Sequence, residues 1–112
     1  MVMTTVLIIE YHDRVRLALE NHLREASGIE IVGSTGSYDE AVRQAERLGP
    51  DVILLEVKAP DGIETLRQLC EYRLNCRVIV LTTYPDSREE DCTLGLGASR
   101  YLLKELDTTS LV

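Results

Sequence analysis

The sequence of 112 residues contains no tryptophan and no phenylalanine, and its only aromatic side chains are five tyrosines. Glu10 and Glu56 are of the residue type that glycoside hydrolysis uses in pairs. The lack of aromatic platforms, and of any sign of a deep substrate cleft, argues against that chemistry. We expect a binding module rather than an enzyme.

Basic residues are in the minority. The chain has 12 lysines and arginines against 19 aspartates and glutamates, which gives a formal net charge of -7. A protein that holds a nucleic-acid backbone needs clustered lysine and arginine. We therefore expect no direct nucleic-acid contact by this stretch of chain.

Long apolar runs and a targeting signal are also missing. No apolar run approaches the roughly 18 residues that a membrane helix needs, and residues 1–5 carry no basic segment of the kind that opens a secretory signal. We expect a cytoplasmic protein without membrane contact. The length of 112 residues and the 45% hydrophobic content predict one domain over residues 1–112.

The cysteines do not suggest a bonded framework. Cys70, Cys76 and Cys92 are odd in number, form no CxxC pair and lie on predicted helices or loops, away from any histidine cluster. Disulfide bonds and a zinc site are therefore not expected.

Five short apolar runs recur along the chain at intervals of 23, 23, 26 and 23 residues. Each interval has room for a turn, a helix of about 10 to 15 residues and a second turn, which is the spacing of βαβ units in one parallel sheet. The sequence therefore predicts an α/β domain with five strands. The runs are Val6–Ile9, Ile29–Val32, Val52–Leu55, Val78–Leu81 and Tyr101–Leu103.

Polar residues follow four of these five runs. Ligands and chemistry collect at the carboxyl ends of parallel strands, so we expect function at this edge of the sheet. Thr82 and Thr83 have no histidine base placed beside them, which leaves a nucleophilic role unsupported. The residues at this edge are Glu10–Tyr11, Glu56, Thr82–Thr83 and Lys104.

Apolar spacing and end signals predict the first two helices. The first follows Asp13 and ends at Ser27–Gly28, and the second opens with a capping box over Ser37–Glu40 and ends at Gly49–Pro50. His22 falls on the inner stripe of the first helix and is interpreted as a packing residue. The predicted inner faces are Val15, Ala18, Leu19, His22, Leu23 and Ala26 in the first helix, and Ala41, Val42, Ala45 and Leu48 in the second.

The later helices have weaker signals. A third helix is predicted near Asp61–Gly62, and a fourth opens with Ser87 and Glu90 as a second capping box. Glycines in the second half of the fourth helix predict that it is short and mobile. Residues 105–112 predict a turn and only the start of a fifth helix. The third helix is expected to bury Ile63, Leu66, Leu69 and Cys70.

The segment Gly33–Ser37 is rich in small residues and precedes a helix, so a phosphate cradle is one interpretation. It lacks the lysine of a P-loop and the glycine spacing of a dinucleotide fingerprint. A flexible turn between strand and helix is therefore the preferred interpretation.

As a set, these stretches resemble the receiver domain of bacterial two-component response regulators over essentially the whole chain. The Ile-Glu-Ile-Val-Gly strand and the Tyr-Leu-Leu-Lys block are most similar to the NarL/FixJ type, in which a receiver precedes a helix-turn-helix domain that binds DNA. The resemblance implies a flavodoxin-like, CheY-like (βα)5 three-layer sandwich with strand order 2-1-3-4-5, its fifth helix truncated here. The matching blocks are residues 6–12, 50–62, 78–83 and 97–104.

The resemblance also assigns roles. In that family a strand-3 aspartate accepts a phosphoryl group from a histidine kinase, and acidic residues after strand 1 hold Mg²⁺. A threonine or serine and a lysine grip the phosphoryl group, and an aromatic residue on strand 5 reports it. The corresponding positions here are Glu56 for the phosphoacceptor, Glu10 and Tyr11 for the acidic pair, and Thr82, Lys104 and Tyr101 for the switch.

Three departures meet at this pocket. Glu56 is one methylene longer than aspartate, in a site where a displacement of about 1 Å costs roughly 10²-fold in rate. Tyr11 is a neutral phenol whose ring is expected to fill the space of Mg²⁺ and its waters. The loop after Pro60 is two residues shorter than is usual in the family. We expect no efficient phosphorylation, no Mg²⁺ binding and an ion pair between Glu56 and Lys104.

The sequence therefore predicts an atypical receiver that acts as a phosphorylation-independent interaction or dimerisation module and regulates an attached DNA-binding output domain. Its expected partners are proteins: a second copy, a sensor kinase or a regulator. Two alternatives stay open, phosphoryl acceptance on Glu56 or a nearby carboxylate such as Asp13, and a small-molecule sensor pocket between Tyr11, Glu56 and Thr82. Self-association is expected through Tyr101, Leu103, Leu106 and Leu111, because large exposed apolar patches favour association.

Overall fold

The computed structural model describes residues 2–72 and 76–104. The predicted fifth helix, with Leu106 and Leu111, lies outside these residues. The strands are β1 (Thr4–Ile9), β2 (Ile29–Thr35), β3 (Val52–Leu55), β4 (Arg77–Thr82) and β5 (Arg100–Leu103). The helices are α1 (Asp13–Arg24), α2 (Ala41–Leu48), α3 (Gly62–Glu71) and α4 (Ser87–Leu96), with a 3-10 turn at Tyr38–Glu40.

The five strands form one parallel sheet in the order β2-β1-β3-β4-β5, as predicted. Strands β1 and β3 occupy the centre, and every residue of β3 is buried. Both faces of the sheet must therefore be covered, which explains why these runs are continuously apolar rather than alternating. None of the helices in the described part of the chain has the length and apolar character needed to cross a membrane.

The core consists of two apolar clusters, one on each face of the sheet. Successive side chains of a strand point to opposite faces, so each strand supplies both clusters. One cluster packs against α2 and α3 and includes Leu7, Ile9, Ile53, Leu55, Val80, Ala45 and Leu66. The other packs against α1 and includes Val6, Ile8, Leu54, Leu81, Leu19 and Leu23.

Strand β2 continues through the segment that the sequence predicts to be a flexible turn. A register shift opposite Val6 and Leu7 places Gly33 beside Leu7 in the sheet. A Cβ atom on Gly33 would lie 2.7 Å from the Leu48 side chain and 2.9 Å from that of Leu7. The glycine is therefore a close-packing residue of the strand, and the prediction of a turn is wrong for Gly33–Thr35, while Gly36 and Ser37 lie outside the strand.

Helix α1 buries a narrower stripe than its sequence predicts. Leu19 and Leu23 are buried, but His22 and Ala18 are exposed, so the prediction that His22 lies on the buried stripe is wrong. The helix ends at Arg24, before Ala26. The spacing of four residues between Leu19 and Leu23 aligns them along one line of the helix surface, and His22 lies to one side of that line.

Neither predicted capping box forms. The Ser37 side chain makes no cap hydrogen bond, and the Glu40 carboxylate is paired with Arg43 at 3.4 Å. Helix α4 is capped by Asp86, whose Oδ1 accepts hydrogen bonds from the backbone N–H groups of Arg88 and Glu89 at 2.8 and 3.1 Å. A carboxylate one position earlier thus takes the role predicted for Ser87.

The short loop after Pro60 is closed by tight backbone packing. Asp61 adopts a left-handed conformation with φ of 67°, and a Cβ atom on Gly62 would lie 2.2 Å from the Val57 carbonyl oxygen. Only glycine fits this approach. Helix α3 then buries Thr65 together with Leu66 and Leu69, while Ile63, expected in the core, is 38% exposed, so that part of the prediction is wrong.

Candidate functional site

The carboxyl ends of the strands bring the predicted polar residues to one edge of the sheet. Glu10 follows β1, Glu56 follows β3, Thr82 ends β4 and Lys104 follows β5. Backbone hydrogen bonds continue between these ends, from Glu56 N–H to the Ile9 carbonyl at 3.1 Å and from Lys104 N–H to the Thr82 carbonyl at 3.0 Å. The positions of all four residues are therefore fixed by the sheet.

Lys104 joins the two glutamates. Its Nζ lies 2.5 Å from Glu10 Oε1 and 2.7 Å from Glu56 Oε1. The carboxylate side chains are 1% and 4% exposed and the lysine side chain 15%. Burial alone would lower the pKa of Lys104, but the hydrogen bonds and charges of the two glutamates raise it above its ordinary value. The predicted ion pair of Glu56 with Lys104 is confirmed, and Glu10 joins it.

The second oxygen of each carboxylate is also occupied. Glu10 Oε2 accepts a hydrogen bond from the His12 backbone N–H at 3.1 Å, and Glu56 Oε2 accepts one from the Lys58 backbone N–H at 2.9 Å. Both carboxylates are therefore held in fixed orientations by an ammonium group on one side and a backbone donor on the other. Buried charges are stable only when they are paired in this way.

Tyr38 supports the site through a contact with the backbone of Glu56. Its hydroxyl donates a hydrogen bond of 2.5 Å to the Glu56 carbonyl oxygen. Burial, together with the nearby charges of Glu10 and Glu56, raises the pKa of Tyr38 well above its ordinary value, so the phenol stays neutral. The sequence analysis interpreted Tyr38 only as part of a capping segment, and no local pattern signals this contact.

Tyr11 lies at the wall of a cavity of about 290 Å³ beside the glutamates. Its side chain is exposed, and its ring meets that of His12 edge-on, with ring centroids 6.4 Å apart. The prediction that this ring displaces Mg²⁺ stays a prediction. The cavity is lined by Glu10, Tyr11, His12, Val15, Glu56, Lys58, Thr83, Tyr84 and Lys104.

Thr82 belongs to a second cluster at the same edge. It is fully buried, and its Oγ1 accepts a hydrogen bond of 3.0 Å from Lys58 Nζ. Lys58 Nζ also lies 2.7 Å from Glu89 Oε1, which accepts a hydrogen bond of 2.8 Å from the Tyr101 hydroxyl. Thr82 and Tyr101, two of the three predicted switch residues, are thus linked through Lys58 and Glu89. Neither Lys58 nor Glu89 was predicted from the sequence.

The sequence contains a signal for one of these two residues. Lys58 follows β3 by three positions and therefore had to lie near the carboxyl edge of the sheet. Glu89 gives no comparable signal, since it is one of several acidic residues at the start of α4 and meets Lys58 only through the tertiary packing.

The side chains at this edge of the sheet are a poor set of ligands for a metal ion. In residues 2–72 and 76–104, no three histidine, cysteine, aspartate or glutamate side chains are grouped so that they could hold a metal ion. Mg²⁺ prefers oxygen ligands in octahedral geometry, whereas the oxygens of Glu10 and Glu56 already bind Lys104 and backbone N–H groups. The donor set does not fit Mg²⁺.

Asp13, the other carboxylate considered as a phosphoryl acceptor, lies at the start of α1. Its side chain is 88% exposed and pairs with Arg16 at 2.8 Å. It is not among the residues that line the cavity at the glutamates. The structure therefore separates Asp13 from the cluster of Glu10, Glu56 and Lys104.

Comparison with known proteins gives consistent matches. Residues 6–112 match the family described as the response regulator receiver domain. The chain is 38% identical over 104 residues to the transcriptional regulatory protein LiaR of Bacillus subtilis (strain 168), covering 91% of this chain and 49% of that protein. It is 34% identical over 112 residues to the nitrate/nitrite response regulator protein NarL of Escherichia coli (strain K12), covering 96% of this chain and 51% of that protein.

The fold has solved counterparts. The signal receiver domain of a response regulator NarL from Mycobacterium tuberculosis superposes with a TM-score of 0.87 at 23% identity, covering 100% of this chain and 92% of that one. The chain spans about half the length of the curated relatives it matches.

Proposed function

Because the chain belongs to the family of response regulator receiver domains, we propose that it is an atypical receiver that signals through protein contacts without being phosphorylated. In this proposal it acts in the cytoplasm as an interaction or dimerisation module, and its partners are a second copy, a sensor kinase or another regulator. Since LiaR is a transcriptional regulatory protein, we extend the proposal to control of an attached DNA-binding output domain, which would make all nucleic-acid contacts.

The observation that carries the proposal is the closed charge cluster at Glu56. Its two carboxylate oxygens already bind Lys104 and the Lys58 backbone N–H, at 2.7 and 2.9 Å. Each oxygen of Glu56 that could attack a phosphoryl group is held by one of these donors, so attack would have to reorganise a buried, paired carboxylate, which is costly because buried charges need their partners. The glutamate side chain also places its oxygens differently from an aspartate, and catalysis depends on such distances.

We also propose that this site does not bind Mg²⁺. Without the metal, the charge of an incoming phosphodonor would be poorly offset beside Glu56, because Lys104 is already shared between two carboxylates and Lys58 is paired with Glu89. Glu56 itself carries one negative charge against about -1.5 to -2 for a phosphoryl group, so it mimics the phosphorylated state only in part.

Phosphodonor labelling tests the proposal. The chain is incubated with acetyl phosphate and Mg²⁺, and its intact mass is measured. We expect no gain of a phosphoryl group. The double variant Glu56→Asp with Tyr11→Asp is the matched positive control, since Thr82 and Lys104 already stand at the matching positions, and it should gain label. Label on the unaltered chain, mapped by peptide mass to Glu56 or Asp13, would replace the proposal with a phosphoryl-accepting receiver.

A small-molecule sensor is a second candidate, because a cavity of about 290 Å³ lies between Tyr11 and Glu56. That volume is at the lower limit of ordinary ligand pockets. Thr83 rather than Thr82 contributes to its wall. Polar metabolites can be screened by thermal shift. A metabolite that raises the melting temperature of the chain, but not that of a Tyr11→Ala variant, would favour the sensor.

A further inference from the structure

Lys58 makes polar contacts with three parts of the fold at this edge of the sheet. Its Nζ lies 3.0 Å from Thr82 Oγ1 at the end of β4 and 2.7 Å from Glu89 Oε1 in the first turn of α4. Its backbone N–H holds Glu56 Oε2 at 2.9 Å. One residue of the loop after β3 therefore contacts the pocket carboxylate, β4 and α4.

Thr82 has no hydrogen-bonding capacity left for a pocket ligand. Its hydroxyl donates to the Tyr84 carbonyl oxygen at 3.2 Å and accepts from the Tyr84 N–H at 3.2 Å and from Lys58 at 3.0 Å. A hydroxyl has one donor and two acceptor sites, and all three are used. The side chain is fully buried, so water offers no ready alternative partner.

Glu89 extends the connection to β5. It accepts hydrogen bonds from both Lys58 and the Tyr101 hydroxyl, at 2.7 and 2.8 Å. The Tyr101 hydroxyl accepts in turn from the Asp86 backbone N–H at 3.1 Å, and Asp86 caps α4. The start of α4 is thus held against β5 through Tyr101 and against the loop after β3 through Lys58.

We propose that Lys58 is a positioning residue, whose contacts with Thr82 and Glu89, here called the Lys58 tether, hold α4 and Tyr101 in one arrangement whatever happens at Glu56. This rests on the proposed function, because a receiver that works without phosphorylation needs its switch residues held by the chain itself. The ammonium group of Lys58 supplies positive charge and donors beside Thr82, so no added group is required to hold it.

The tether is tested in the 112-residue chain by NMR at neutral pH with no phosphodonor or metal present. Lys58→Met keeps the aliphatic stem and removes the ammonium group. We expect loss of the contact between the Tyr101 ring and the Glu89 side chain. Amide exchange in the first turns of α4 should be about threefold faster, a modest change because a partly exposed ion pair contributes little stability. Lys58→Arg should retain both signals, because arginine supplies a cation and several donors.

Glu89→Gln tests the tether from its other end and should release Tyr101 in the same way. It takes the place of Lys58→Met if circular dichroism shows that Lys58→Met is poorly folded. Glu56→Gln should leave the Tyr101 contact unchanged. Retention of the Tyr101 contact and of normal α4 exchange in both Lys58→Met and Glu89→Gln would overturn the tether. Phosphoryl labelling of the unaltered chain would overturn the proposed function alone, since the tether is measured without a phosphodonor.

Discussion

Lys104 offsets half of the negative charge in the buried cluster, because its single ammonium group is shared by two carboxylates that are almost completely shielded from water. A buried ion pair contributes little net stability relative to an apolar pair, since desolvation offsets the attraction. Removing only the lysine has a different effect, because the two buried carboxylates are then left without a partner. The cluster therefore specifies the geometry of the pocket more than it stabilises the fold.

Lys104→Met should destabilise the chain by about 3–5 kcal/mol at pH 7, because Glu10 and Glu56 would remain buried side by side. Urea unfolding followed by circular dichroism measures the change. Lys58→Met is the matched control, since that lysine side chain is 31% exposed and its partly exposed pair contributes about 1 kcal/mol at most. Equal effects of the two substitutions would contradict this account of the cluster.

Tyr38 and Lys104 both have a pKa that is raised in the folded state. Each holds its proton more tightly when folded, so its contribution to stability is complete below its ordinary pKa, near pH 10, and is lost as the pH rises through the raised value. The urea midpoint of the chain should therefore fall above about pH 10. Below that pH, neither group should make stability depend on pH.

Tyr38→Phe should cost about 1–3 kcal/mol at pH 7, because the Glu56 carbonyl oxygen loses its donor in a buried site. The same variant should lose less stability than the parent chain between pH 10 and pH 11. Tyr72→Phe is the control, since Tyr72 is 57% exposed and should change neither quantity. A parent-like alkaline decline in Tyr38→Phe would show that Tyr38 is not a source of the pH dependence.

At the scale of elements, the even spacing of the apolar runs determined the prediction of the sheet. Every predicted run became a strand, and the observed strand order is the one that the resemblance to receiver domains implied. The starts of the helices were harder to predict than the strands. Ser37 and Ser87 match a capping pattern, but the Ser37 side chain makes no cap hydrogen bond, and the N–H groups at the start of α4 donate to the Asp86 side chain.

The site was predictable where it follows the strands and not where it depends on packing. Glu10, Glu56, Thr82 and Lys104 are each adjacent to a strand end, so parallel strand order alone brings them together. Lys58 and Glu89 are 31 residues apart, and their contact depends on the placement of α4. Such a contact has no periodicity in the sequence.

Asp86→Ala should destabilise the chain by about 1 kcal/mol, because the first N–H groups of α4 lose their acceptor. Ser87→Ala should have almost no effect, since the structure assigns the cap to Asp86. Thermal unfolding of the two variants under identical conditions compares them directly. A larger loss for Ser87→Ala would restore the capping box that the sequence suggested.

At the scale of the whole molecule, the two faces of the sheet are covered unequally by the described helices. Helices α2 and α3 pack on one face, while α1 is the described helix that packs on the other. A cavity of about 470 Å³ lies between α1 and the end of β5, with Val15, Ala18 and Leu103 among its lining residues. Leu103 is 52% exposed there.

We predict that the chain self-associates through this surface, in line with its proposed role as a dimerisation module. Exposed apolar surface favours association when it forms a continuous patch. Sedimentation velocity should show a dimer or larger species that Leu103→Glu shifts toward monomer. Leu17→Glu is the matched control on α1, where Leu17 is 55% exposed but does not line the cavity. A monomer at all concentrations would remove self-association from the proposal.

We expect the arrangement at the carboxyl edge of the sheet to be independent of phosphorylation. NMR amide spectra of the chain, recorded before and after saturating Mg²⁺ and beryllofluoride, a phosphoryl analogue, test this independence. We expect unchanged signals for Glu10, Glu56, Thr82 and Tyr101, with clear shifts at positions 10 and 56 in the Glu56→Asp and Tyr11→Asp double variant. Saturable shifts localised to these residues in the unaltered chain would contradict the account.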